Sequence, residues 1–86
     1  MKKKPTRKQL ELALGQAAEA HHQYQIDYLD GVHDQAWAGW YAAYLLGQLG
    51  GFTDPAQLTR WLEAVEADEN WIVQAAKFIL QQINQA

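Results

Sequence analysis

From Gln35 to Thr53 the chain carries no charged residue, and the first part of that interval, with its preceding acid, reads DQAWAGWYAAYLLGQL over 34–49. An uncharged segment this rich in aromatic and aliphatic side chains has to be covered by the rest of the protein. On a helical wheel Trp37, Tyr41, Tyr44 and Leu45 share one side, while Gly39, Ala43 and Leu46 lie on the other. Apolar matter therefore surrounds most of the turn, and the spacing predicts a central helix. Spanning a membrane is the weaker reading, because 35–53 contains two Gln and four Gly and its apolar part runs only from Ala36 to Leu46.

A chain of 86 residues with 49% apolar content and four Trp supports one core and one domain. It holds no cysteine, which excludes disulfide frameworks, thiol nucleophiles and cysteine-ligated zinc together. The Lys-rich start, MKKKPTRK, is followed by Leu10–Leu14 with Glu11 inside it, so no signal-type apolar run is expected and a cytoplasmic location is. Lys2, Lys3, Lys4, Arg7 and Lys8 set a basic end against a body in which two basic residues face ten acidic ones. Residues 1–5 are expected as a disordered, solvated basic tail. The body has the wrong sign to hold phosphate, so neither nucleic acid nor membrane is an expected partner.

Thr6-Arg7-Lys8-Gln9 has capping-box spacing and starts the first helix. Leu10, Leu14, Ala17, His21, Tyr24 and Tyr28 then recur in steps of four and three, one stripe down a long helix that closes near Asp30-Gly31. Asp34 is placed to cap the second helix by accepting from the amide of Ala36 or Trp37, and Gly50-Gly51 ends it. Asp54-Pro55-Ala56-Gln57 is a third start, with Leu58, Trp61, Leu62 and Val65 facing inward and Arg60, Glu63 and Glu66 outward.

An offset of 34 residues aligns Asp34-x-x-Trp37 with Asp68-x-x-Trp71 and Ala42-x-Tyr44-Leu45-Leu46-x-Gln48-Leu49 with Ala76-x-Phe78-Ile79-Leu80-x-Gln82-Ile83. This decides between one long rod and two helices after Pro55, in favour of two, with Asp68 capping the fourth. The fold class is all-α: four helices, over about 7–30, 35–49, 55–67 and 69–84, arranged as two αα-hairpins with a pseudo-two-fold repeat. Either a four-helix bundle or a compact orthogonal variant would bury their stripes.

Where the copies differ, function is sought. The fourth helix presents Gln74, Lys77 and Gln81 to solvent, but the matching residues of the second are Trp40, Ala43 and Gly47. That apolar face calls for cover by the long first helix, a second copy or another protein, and a homodimer through Trp40, Ala43 and Gly47 is the preferred expectation. The first half also concentrates aromatic and imidazole side chains. His21, Tyr24, Tyr28, Trp37 and Tyr41 are the candidate lining of a small-molecule pocket between the first and second helices, the plainer alternative being a solid core with satisfied hydroxyls.

No catalytic residue, metal or cofactor is assigned. Glu19 and His22 have Glu-x-x-His spacing, but a di-iron bundle needs a second such pair and two more inward carboxylates. Ser and Cys are absent, and Thr6 and Thr53 read as cap residues and not as nucleophiles. His21 could be held by Tyr hydroxyls or by Asp34, giving a His-Asp-Tyr acid/base set.

The span from His22 and Tyr24 through Asp34-x-x-Trp37-x-x-Trp40-Tyr41-Ala42-x-Tyr44-Leu45 resembles a group of small bacterial helical proteins that carry a D-x-x-W-x-x-W-Y-A-x-Y-L segment. It covers about a quarter of the chain, and Ala38-Gly39 stands where many of that group would carry Pro. The resemblance implies a helical fold in a bacterial setting and no site chemistry. The expected function is a helical protein-interaction module, with small-molecule binding as the alternative and metal-dependent catalysis third.

Overall fold

A computed structural model describes residues 4–85; of the solvated tail expected over 1–5, residues 1–3 lie outside them, and Pro5 is buried instead of solvated. Four helices and no strand occur among the described residues: α1 (Arg7–Tyr28), α2 (Trp37–Leu49), α3 (Pro55–Ala64) and α4 (Trp71–Gln85). No described helix is long and apolar enough to cross a membrane.

The starts follow the local chemistry. At α1 the Thr6 hydroxyl accepts the Gln9 amide at 3.1 Å and the Gln9 side chain accepts the Thr6 amide at 2.9 Å, a complete capping box. At α3 Asp54 accepts the Gln57 amide at 2.9 Å with Pro55 in the first turn, but the Gln57 side chain accepts from Arg60 instead of reaching back. The starts of α2 and α4 match each other. Asp34 accepts the Ala36 amide on its carboxylate at 2.9 Å and the Trp37 amide on its carbonyl at 3.2 Å. Asp68 does the same for Asn70 and Trp71, at 2.6 and 3.2 Å. Each aspartate thus stands three residues before a helix that begins at Trp37 or Trp71, two residues later than the spacing suggested, because the turn itself uses those residues.

The ends also come early. After Tyr28, Asp30 and Gly31 both take left-handed conformations, at φ 52° and 78°. The amides of Leu29 and Gly31 converge on the Gln25 carbonyl, so the chain reverses two residues before the expected stop. At Val65 the backbone turns extended, ending α3 at Ala64 rather than near 67 and breaking the continuous rod that the apolar pattern of 58–83 allowed.

α1 packs on α2 and α4, and α3 packs on the same two, closing a ring in which neither diagonal pair has a close backbone approach. Its core comprises Leu10 and Leu14 from α1, Leu45 from α2, Leu58 and Leu62 from α3, and Ile79 and Ile83 from α4, spaced by Ala13, Ala38, Ala42, Ala75 and Ala76. Each large side chain there contributes about 1.5–3 kcal/mol by leaving water, and the alanines let the helices approach. Beyond this core α1 continues past the start of α2, against Asp34, Trp40 and Tyr41. Its stripe stays buried through His21, is half-covered at Tyr24, and reaches solvent at Tyr28, which is 76% exposed.

Candidate functional site

Among the described residues His21 is the one buried polar residue, 5% exposed, on the α1 stripe one turn beyond Ala17. Its Nε2 lies 2.8 Å from Oδ2 of Asp34. An ionised carboxylate only accepts, so the proton of this bond sits on Nε2. The bond to His21 holds the Asp34 carboxyl below its ordinary value against the burial that would raise it, and the Ala36 amide and the charge of His21 and His33 act with that bond. Of the two expected holders of His21, tyrosine hydroxyl or Asp34, the structure shows Asp34. The same carboxylate thereby ties α1 to the first turn of α2.

The other ring nitrogen, Nδ1, makes no hydrogen bond. Among the described residues no buried side-chain nitrogen or oxygen lacks a partner, so Nδ1 meets solvent. On one side the imidazole is covered by Trp40, edge-on with centroids 5.0 Å apart, and by Tyr24 at 5.9 Å. On the other it stands in the wall of a cleft of about 380 Å³ lined by His21, Gln25, His33, Trp37, Tyr41, Ala67 and Trp71.

Three rings build the apolar wall. Trp37 meets Tyr41 at 5.4 Å and 89°, Trp37 meets Trp71 at 5.6 Å and 74°, and Tyr41 meets Trp71 at 5.8 Å and 88°. These are direct edge-to-face contacts. With centroids this close no cation fits between the rings, so the triad is a closed wall and not an aromatic cage. Burial pushes the Tyr41 phenol above its ordinary value, which keeps it neutral at physiological pH.

The five residues expected to line a pocket are divided. His21, Trp37 and Tyr41 line the cleft. Tyr24 lies behind His21 against Trp40, and Tyr28 stacks on Tyr24 at 5.6 Å near the end of α1, away from the cleft. The cleft also reaches beyond the α1–α2 pair, since Ala67 and Trp71 come from the far side of the ring. Sequence reasoning missed Gln25, His33, Ala67 and Trp71. Gln25 sits four residues after His21 and so shares its face, and Trp71 is the offset-34 counterpart of Trp37; both signals were present in the spacing.

The other expectations concerned α2 and metals. Trp40 is half-buried, with Tyr24 and His21 on it from α1 and Tyr44 stacked at 5.7 Å and 14°, so the extra turns of α1 do cover this residue. Ala43 and Gly47 are exposed, and a Cβ built on Gly39 or Gly47 would meet nothing within 4 Å. Glu19 and His22 are exposed on α1, and among the described residues no three His, Asp or Glu side chains gather to hold a metal. Two larger hollows, of about 490 and 470 Å³, lie beside Trp61 and Tyr44, but their walls carry no buried titratable group.

The arrangement offers a buried imidazole held by Asp34 at the side of an aromatic cleft, with an exposed imidazole, His33, and the Gln25 side chain also on its lining. No family model matches the chain, and neither a curated protein nor a solved structure matches it.

Proposed function

We propose that the protein is a small-molecule-binding helical domain whose ligand occupies the cleft beside His21. The observation that carries this reading is a buried imidazole, held by Asp34, that stands in the wall of a cleft lined by Trp37, Tyr41 and Trp71. A concave site with mostly apolar and aromatic walls and a few polar groups is the usual form of a small-molecule site.

Titration of isotope-labelled protein with indole, benzimidazole and phenol, followed by heteronuclear NMR, tests the proposal. Shifts centred on the cleft residues, with His21, His33, Trp37, Ala67 and Trp71 among them, are the expected result. Absence of any such shift at about 5 mM of every probe, weaker than about 3–4 kcal/mol of binding, would sink it.

The finer architecture belongs to the same proposal: two αα-hairpins related by a pseudo-two-fold axis. Supporting it are the matching aspartate turns, the equal burial of Leu45 with Ile79 and of Ala42 with Ala76, and the meeting of the equivalent residues Trp37 and Trp71. A cysteine-free acidic body fits a cytoplasmic setting.

A second reading, homodimerisation on α2, is favoured by one observation. Ala43 and Gly47 lie open on a helix whose counterpart carries Lys77 and Gln81 there, and Gly39, one turn before Ala43, is open as well. Sedimentation of wild type and of Ala43→Arg at high micromolar concentration separates the possibilities. A dimer broken by the arginine supports the reading, and a wild-type monomer ends it.

A further inference from the structure

We propose that the face on the Trp40 side of His21 docks an extended, arginine-bearing peptide, which lies along Tyr28, Tyr24, Trp40 and Tyr44 and seats a guanidinium in the hollow beside Tyr44.

The four rings form a continuous row from the end of α1 onto α2, with neighbouring centroids 5.6, 5.8 and 5.7 Å apart. Their planes differ by only 32°, 30° and 14°, whereas Trp37, Tyr41 and Trp71 close on one another at 74° to 89°. Tyr28 is 76% exposed, and Tyr24, Trp40 and Tyr44 are half-buried. Among the described residues Tyr28 meets no ring but Tyr24, and Tyr44 none but Trp40, so each end of the row still has ring surface to offer. Four rings are more than one side chain can cover. An extended chain rises about 3.3 Å per residue and sets alternate side chains about 6.6 Å apart, close to the step of the row.

Charge selects the peptide. From Gln9 to Thr59 the chain has six carboxylates and no lysine or arginine, so α1 beyond Lys8 and the whole of α2 lack both. Arg60 bonds Gln57, and Lys77 lines a separate hollow with Arg7. Such a face attracts a cationic segment and repels nucleic acid, whose bases could otherwise stack on the same rings.

The row ends at a hollow of about 470 Å³ walled by Gln16, Glu19 and Gln23 from α1 and by Tyr44 and Gln48 from α2. Gln23 donates its amide to Asp27 at 3.0 Å, which leaves its carbonyl oxygen to accept. Among the described residues neither Glu19 nor Asp27 has an ion-pair partner. A guanidinium brings five N–H donors and no acceptor, forks onto a carboxylate and stacks on an aromatic ring. Glu19, the glutamine oxygens and Tyr44 supply each of these in one place. A lysine ammonium is more strongly hydrated and has no plane to stack.

The test titrates the full chain, labelled with 15N, with three capped octapeptides that alternate proline with arginine, with lysine or with glutamate; the prolines hold each one extended. The arginine peptide is expected to shift Glu19, Gln23 and the Trp40 indole and to bind about tenfold tighter than the lysine peptide, and the glutamate peptide to shift nothing. Glu19→Gln and Tyr28→Ala, at exposed positions outside the core, should each weaken the arginine peptide several-fold.

Equal affinity for arginine and lysine reduces the attraction to charge alone and overturns the inference, as does silence at about 2 mM arginine peptide. Shifts centred on Ala67 and Trp71 instead of the row also overturn it. Shifts along the row that grow with protein concentration before any peptide is added overturn it in favour of a second copy. The cleft beside His21 is probed by different ligands at different residues, so the two proposals stand or fall separately.

Discussion

Asp34 and Asp68 stand at the start of α2 and α4 and make the same pair of bonds, carboxylate to the amide two residues on and carbonyl to the amide of the following tryptophan. They differ in what lies above them. Asp34 receives His21 from α1, whereas Asp68 is exposed and receives no side chain from α3. The cause is length: α1 runs 22 residues and α3 only 10. Aligned by their starts, Gln9 with Gln57, the two helices match through Ala17 and Val65, where α3 stops. Everything α1 brings to the cleft, His21 and Gln25, comes from the turns that α3 lacks. The site is thus an extension added to a common frame, not a motif embedded within it.

The comparison breaks most visibly in the shared frame. Leu45 and Ile79 occupy matching positions and are both fully buried. Truncating either to alanine should cost about 2–5 kcal/mol and lower Tm by roughly 10–30 °C in a domain of this size. Denaturant melts that show one of the pair to be nearly silent would deny that the helices are equivalent.

Next in size is the extension. His21→Ala removes a ring packed against Tyr24, Trp40 and Tyr41 together with the Asp34 bond, and should cost roughly 2–4 kcal/mol in the same melts. Glu69, which the start-based alignment sets opposite His21, lies exposed beyond the end of α3, and its replacement by alanine should leave the midpoint unchanged. Comparable losses at both positions would mean that the added turns are not what distinguishes the halves.

Acid separates the two aspartates more gently. Asp34 titrates lower in the fold than in the unfolded chain because His21 and the Ala36 amide favour its anion. Its contribution is therefore complete above the ordinary carboxylate value of about 3.9, and it is lost as pH falls through the lower folded value. Wild type should exceed Asp34→Asn in urea midpoint at pH 7, and the gap should narrow below about pH 4. A gap that persists unchanged to pH 2 would show that the asparagine acts by packing and not by charge.

How much of this was legible follows from which interactions are local. The caps at Thr6 and Asp54 and the polar turns at Asp34 and Asp68 were readable because their partners lie two or three residues away, although Asp34 was expected at the N-cap place that Ala36 takes, and the buried face of α1 was readable through His21 from spacing alone. Helix ends were misplaced by two or three residues where the backbone had a choice: at Asp30, which accepts a left-handed conformation as well as Gly31 does, and at Val65, which turns extended. The cleft was half-read. His21, Trp37 and Tyr41 were found by pattern, but Trp71 and Ala67 arrive from the opposite side of the ring, and periodicity within one helix says nothing about which distant turn will meet it. Tyr28 was carried into the expected pocket by a stripe that stays regular past the point where the protein beneath it ends.

The smallest effect bears on the face that has no counterpart on α4. Gly47 is an interior helical position with open space where a Cβ would stand, so Gly47→Ala in a monomer removes backbone freedom from the unfolded chain and meets no clash. It should raise stability by about 0.5–1 kcal/mol, a gain visible as a few degrees in Tm. Gln81→Ala, at the matching place on α4, is exposed and exchanges one good helix former for another, so its change should be smaller still. In a dimer packed through Gly39, Ala43 and Gly47 the sign at Gly47 reverses, because the added methyl group enters the space a second helix needs. Melts at 5 and 500 µM then decide: a gain that is independent of concentration belongs to an open face, and a loss that grows with concentration belongs to a covered one.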